Sequence, residues 1–177
     1  MDYIEKPISS KKVYDGKIIK VRVDDVELPD GRLAKRELIS HGGGVGIIPV
    51  NENGEVLMVN QYRIAAKSMM LEIPAGKLEF GEDPLECGKR ELIEETGYKA
   101  NEFIHLGEYY ATPGYCEEKL NIYLARNLEW VGQHLDEGEF LNVETYKLDD
   151  LYSMVMNNKI YDAKTAIAIL KAKMIVG

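Results

Sequence analysis

The sequence predicts an α/β protein, an α/β/α sandwich around a mixed sheet, with an N-terminal antiparallel β meander in front of it. Three observations carry this reading. Strand-like segments alternate with three helical ones through residues 43–177. One of those helices carries stop and start signals at both ends. Residues 1–42 are β-rich but hold too few apolar residues to close a core alone, so they must pack on the rest of the chain or on a second subunit. At 177 residues the chain is long enough for one well-buried core with a small appendage. The expected division is an N-terminal β segment, 1–42, and a main domain, 43–177.

Taken in order, residues 13–23 are β-rich, Val26-Glu27-Leu28 follows, and Pro29-Asp30-Gly31 makes a turn before a strand over 34–39. His41-Gly42-Gly43-Gly44 is a flexible hinge. Residues 45–50 form a buried strand, Asn51-Glu52-Asn53-Gly54 a hairpin turn, and residues 55–59 the return strand. Pro74-Ala75-Gly76 and Gly81 make a loop. The helix beyond it has Asp83 as cap, Pro84 in the first turn and Glu86 completing a D-x-x-E capping box, with Gly97 at its C-terminal end. Leu85 and Leu92, two turns apart, define its buried side. Strands are expected at 103–110, 119–125 and 142–148. Amphipathic helices are expected at 149–157 and 162–174. There is no internal repeat.

The helix ends in Arg90-Glu91-Leu92-Ile93-Glu94-Glu95. At about 100° per residue, Glu91, Glu94 and Glu95 fall within an arc of roughly 100°. Like charges so close weaken a bare helix. A divalent cation relieves them, because Mg²⁺ takes hard oxygen ligands from carboxylates and substrate phosphates. Glu91 and Glu95 are the first candidate ligands and Glu94 the third. A plain solvated acidic face is the alternative, which the capped helix and the glycine-bearing loop argue against. Arg90, beside three carboxylates, orients them with Glu82 as a support of the catalytic loop; direct contact with phosphate is the other reading.

Residues 76–98 fit G-x5-E-x7-R-E-U-x-E-E-x-G-U, where U is a bulky aliphatic residue, through Gly76, Glu82, Arg90, Glu91, Leu92, Glu94, Glu95 and Gly97. Tyr98 departs from the pattern at its last position. The segment resembles the Nudix hydrolases. Three further stretches are similar to their ADP-ribose pyrophosphatase branch: Gln61-Tyr62-Arg63 ahead of Leu71-Glu72-Ile73-Pro74-Ala75-Gly76, Thr112-Pro113-Gly114 with Glu118, and Asp162-Ala163-Lys164-Thr165.

The resemblance implies Mg²⁺-dependent (or Mn²⁺-dependent) hydrolysis of ADP-ribose to AMP and ribose 5-phosphate. The alternative is the same chemistry on another nucleoside diphosphate sugar. It also implies a metal-ligating carbonyl at Ala75 and a general base on the loop 132–140, with Glu139 the best match and Glu137 the runner-up. Substrate contacts are implied at Arg36, Arg63, Thr112, Pro113, Gly114 and Glu118, and a homodimer whose N-terminal strands help build the partner's site. Tyr3, Tyr14, Tyr62 and Tyr115 are candidates to stack on adenine. A reading from another class is a non-catalytic domain that binds ADP-ribose as a sensor. The intact acidic box argues against it.

A net charge of −8 argues against nucleic acid as partner. No apolar run approaches the length needed to cross a bilayer. The first residues lack a basic start and apolar stretch, so a cytoplasmic location is expected. Cys87 and Cys116 make no recognisable metal pattern.

Overall fold

The structure, a computed structural model, describes residues 2–177. The chain divides into two compact units. The first runs to Gly43 and also takes Tyr110–Lys119 from within the segment assigned above to the main domain; the second is Gly44–Tyr109 with Leu120–Gly177. The first unit holds ten basic and ten acidic residues, leaving 12 and 20 of the chain's 22 and 30 for the second. The whole formal charge of −8 therefore belongs to the second unit.

The first unit is built on the antiparallel order β1-β2-β3, from Lys6–Asp15, Ile19–Glu27 and Leu33–His41. The first turn falls at residues 16–18, inside the stretch that reads as one β-rich run. Strand β1 is exposed along its whole length. The segment from residue 110 adds to this unit through main-chain bonds: Ile39 N–H donates to Tyr115 O (2.7 Å) and Glu117 N–H to Ile39 O (2.9 Å).

The second unit holds two sheets. One is mixed and four-stranded, in the order β7-β4-β9-β8 from Ala75–Lys77, Gly44–Pro49, Lys119–Trp130 and Tyr98–Tyr110. Strand β4 runs antiparallel to β7 and parallel to β9, with Gly44 opposite Leu120. The other has the order β10-β5-β6, from Leu141–Lys147, Glu55–Arg63 and Ser68–Glu72.

Alternation along β4 distributes the core. Val45 and Ile47 face helix α1 (Pro84–Thr96) in a cluster with Cys87 and Leu92. Ile48 and Val50 join a larger cluster with Ile73, Leu151 and Ile169, under α2 (Leu148–Met156) and α3 (Ala163–Val176). Period-two alternation thus puts one helix on one face and two on the other, the expected α/β/α sandwich.

The expected hairpin at 51–54 is corrected. Strands β4 and β5 form no ladder with each other: the isolated bridge Val50–Val56 links the chain just after β4 to β5, and the two strands belong to different sheets. The turn forms, with Asn51 Oδ1 accepting from Asn53 and Glu55 N–H groups at 2.9 Å. Beyond it β5 is drawn to β10 and β6, because strand β4 is already flanked by β7 and β9. Strand β7 likewise replaces part of the expected loop at 74–76.

Candidate active site

Helix α1 is fixed at both ends as its sequence demands. The Asp83 carboxylate accepts from the N–H groups of Leu85 (2.9 Å) and Glu86 (3.2 Å). Glu86, the expected second half of the capping box, pairs instead with Lys89 at 2.7 Å. Gly97 closes the helix at φ 77°, a left-handed conformation that suits glycine, and its N–H donates to Ile93 O. Gly88 lets the helix lie close on β4, since a Cβ there would stand 3.2 Å from Val45 Cγ2. That contact and the buried Leu92 set the rotation of the helix, which aims Glu91 and Glu95 at strand β7.

Strand β7 meets them with main chain. Ala75 N–H donates to Glu95 Oε2 at 2.9 Å. The Glu91 carboxylate lies so close over Gly76 that a Cβ at position 76 would overlap it. Gly76→Ala should therefore displace Glu91 and lower turnover at least tenfold with little change in melting temperature. Assay and thermal scan together check this, and wild-type turnover in the variant would contradict the contact.

Arg90 is shared among the carboxylates. Its Nη1 donates to Glu91 Oε1 and Glu94 Oε2, both at 2.8 Å, and its Nε and Nη2 reach Glu82 at 3.2 and 3.3 Å. Glu82 is braced by the Glu79 N–H (2.9 Å). One guanidinium thus faces three carboxylates. Glu95 is almost fully buried, and burial pushes its carboxyl up to about 8, with the charges of Glu139 and Glu91 adding to the push against the pull of Ala75 N–H and Arg63. Burial also raises Glu91; Arg90 opposes this, while Glu94 and Glu139 add to it. Among the described residues, no three acidic, His or Cys side chains already converge as a ready-made cation cage. Glu91 and Glu94 turn to Arg90 instead.

The loop after β9 is tied to the end of α1. Gly97 O accepts from Val131 N–H (2.8 Å) and Gly132 N–H (3.1 Å), Glu94 O from His134 N–H (3.2 Å), and Glu95 O from Gln133 Nε2 (2.6 Å). These bonds satisfy helix-terminal carbonyls that would otherwise need water. They also hold the loop against the acidic helix. Glu139 sits where its charge raises both Glu91 and Glu95, while Glu137 is exposed. Gln133 was not legible as a site residue, because its role depends on a carbonyl 38 positions away.

Arg63, expected to touch substrate, is committed to Glu72: Nε donates to Oε1 (2.7 Å) and Nη2 to Oε2 (3.0 Å). Glu72 is 3% exposed and also pairs with Lys164. Burial alone would raise its carboxyl, but Arg63 and Lys164 together hold it below the ordinary range. A carboxyl lowered on folding binds protons more readily in the unfolded chain, so its stability contribution is present above the ordinary 4.5 and lost as pH falls below it. Urea midpoints between pH 5 and 3 should therefore fall more steeply for the wild type than for Glu72→Gln. Equal slopes would contradict this assignment.

Comparison with known proteins accords with this geometry. Residues 40–167 match the NUDIX domain, and residues 5–39 match a nucleoside diphosphate sugar hydrolase N-terminal domain. The chain belongs to the Nudix hydrolase family. It is 41% identical over 167 residues to a protein named ADP-ribose pyrophosphatase from Bacillus subtilis (strain 168), covering 93% of this chain and 90% of that one. It is 40% identical, with the same coverage, to a protein named methanol dehydrogenase activator from Bacillus methanolicus. A solved structure entitled "Crystal structure of ADP compounds hydrolase" superposes with a TM-score of 0.86 over 99% of this chain and 97% of that chain, at 22% identity. It shares the fold.

The remaining candidates of this Nudix hydrolase, Tyr62 apart, belong to the first unit. Arg36 is paired with Glu5, its Nε donating to Oε2 at 2.9 Å. Thr112, Pro113 and Gly114 form an exposed turn in which Thr112 O accepts from the N–H groups of Tyr115 (3.2 Å) and Cys116 (3.0 Å). Glu118 lies 3.5 Å from His41 Nδ1. Tyr3, Tyr14 and Tyr115 are exposed there, as Tyr62 is in the second unit. Both cysteines are free thiols, and burial pushes Cys87 up to about 12.

Proposed function

We propose that this Nudix hydrolase is an Mg²⁺-dependent ADP-ribose pyrophosphatase that yields AMP and ribose 5-phosphate, with Mn²⁺ able to substitute. The observation that carries the reading is the packing of Glu91 and Glu95 against the Ala75-Gly76 main chain with Glu139 facing them. Three carboxylates then share a partly dry site in which Arg90 answers only Glu91 directly. The relative named ADP-ribose pyrophosphatase supports the substrate.

The donor set fits a hard divalent cation: carboxylate and carbonyl oxygens with surplus negative charge. Ala75 O, Glu91 and Glu95 would hold it, with Glu94 as a further ligand. A bound cation offsets the charge on the diphosphate and makes a bound water easier to deprotonate. This chain's own residues do the rest. Glu139 accepts the proton of the attacking water. Arg90 keeps Glu91 and Glu94 from splaying apart and is thereby a support of the site. Arg36, the Thr112-Pro113-Gly114 turn and Glu118 select the substrate. Arg63 supports Glu72 and, in this reading, reaches the substrate only with the part of its guanidinium left over. Since the second unit carries all of the net charge, an anionic substrate needs local positive charge to approach.

The test is a panel of ADP-ribose, GDP-mannose and UDP-glucose with Mg²⁺ and with Mn²⁺. ADP-ribose should lead by about tenfold or more in kcat/KM. Turnover no faster than that of the other two would favour another nucleoside diphosphate sugar, which the description of the N-terminal family leaves open. We take the protein as a cytoplasmic homodimer. The exposed Ile4, Ile8, Val13 and Tyr14 supply apolar surface for a second copy, which sedimentation would detect. Among the described residues no helix is long and apolar enough to cross a membrane.

A further inference from the structure

The main chain that meets Glu91 and Glu95 belongs to a segment that changes sheets. Strand β6 ends at Glu72 in one sheet, and β7 begins at Ala75 in the other. Between them Ile73 and Pro74 have no strand ladder, and Pro74 has no N–H to donate. Side chains from the start of α3, about 90 positions away, take over that task. Ile73 N–H donates to Thr165 Oγ1 (3.0 Å), and the hydroxyl donates onward to Asp162 Oδ2 (2.5 Å). The same carboxylate caps α3 by accepting Thr165 N–H (3.0 Å) and holds Lys164 Nζ at 2.9 Å. Lys164 reaches back to the buried Glu72. Pro74 O accepts Ile47 N–H at 2.8 Å, and Ala75 N–H ends the series on Glu95.

Thr165 is fully buried and its hydroxyl is used in both directions. A hydroxyl alone among small side chains can accept from Ile73 while donating to Asp162. Residue 46 must also be small, because a Cβ there would stand 2.8 Å from Ile73 Cδ1. The segment 72–75 is thus laddered at its two ends, Glu72 to Val59 and Ala75 to Gly46, and held between them by Ile47 N–H on Pro74 O and by the Thr165 hydroxyl on Ile73 N–H.

We infer that Asp162, Lys164 and Thr165 are positioning residues for cation binding, setting the Ala75 main chain and, through it, the Glu95 carboxylate. This rests on the assignment of Ala75, Glu91 and Glu95 as the cation site. Groups hydrogen-bonded directly to a ligand are worth about 10–100-fold in metal affinity, and these residues, acting one step further out through Ile73, are assigned the lower end of that range.

Mn²⁺ binding to the substrate-free protein, followed by the electron paramagnetic resonance signal of the free ion, tests the inference without turnover. Thr165→Val keeps the shape and removes the hydroxyl. Its Kd for Mn²⁺ should rise about tenfold or more, while Thr165→Ser should stay within about threefold of wild type. At saturating Mn²⁺, kcat of Thr165→Val should return to within a few-fold of wild type. Lys164→Met provides a second variant should the valine fail to fold, with the same rise expected. Folded variants with wild-type Mn²⁺ affinity would overturn the inference and leave the three residues a purely structural role. A Glu91→Gln/Glu95→Gln double variant separates the two levels. Retained Mn²⁺ affinity there would remove the cation site itself, and with it this inference.

Discussion

Glu95→Gln should lower kcat by about three orders of magnitude or more, a barrier increase of about 4 kcal/mol, while the protein stays folded and no less stable. The two effects separate because Glu95 has two relations to its surroundings. As a carboxylate it offers charge to a cation. As a buried group raised to about 8, it is a costly anion in the metal-free fold. Glutamine keeps the oxygen that accepts Ala75 N–H and removes the charge. Glu91→Gln should show the same loss of turnover without the gain in stability, since its carboxylate also answers Arg90. Turnover and thermal scans with and without Mg²⁺ would measure both. A Glu95→Gln enzyme within tenfold of wild type would show that this carboxylate does not support the reaction.

Glu139→Gln should reduce kcat by about 10²–10⁴ with Mn²⁺ affinity and KM little changed, the expected range for loss of a positioned general base. Glu137→Gln should remain within about twofold of wild type. The contrast follows from placement. Glu139 stands where its charge reaches Glu91 and Glu95, whereas Glu137 is exposed two residues earlier on the same loop. Gly138, at φ 84°, lies between them and lets the chain turn so that the two neighbours face differently. Reversed outcomes would reassign the base to Glu137.

What the sequence made legible was local chemistry. The ends of α1 followed from Asp83, Pro84 and Gly97, because caps act within one turn of where they stand. Strand β4 followed from an unbroken apolar run, and the acidic arc from helical spacing. What was missed depends on distant partners. Strand β6 reads Ser-Met-Met-Leu-Glu and shows no alternation, and the three residues of β7 are too few to carry a period. The supposed hairpin at Asn51–Gly54 had the right turn residues but the wrong partner, because sheet membership was decided by β7, β9 and β10. The commitment of Arg63 to Glu72 was hidden for a similar reason. The buried carboxylate that claims it is nine residues away in another strand, and the lysine that shares that carboxylate lies 92 residues from it.

Strand β4 runs beside β9 with Gly44 opposite Leu120, a junction of two stretches far apart in synthesis. A growing chain can close the β1-β2-β3 meander and wind α1 soon after each leaves the ribosome, since their contacts are local. It can pair β4 with β7, but the other edge of β4 stays open until β9 has emerged. During that interval β4, apolar on both faces, waits with an unpaired edge, which makes this stage the one most open to misassociation. The acidic helix and the strands β4 and β7 that meet it all lie within residues 44–96, so the contacts that arrange Glu91 and Glu95 can form before β9 closes the sheet.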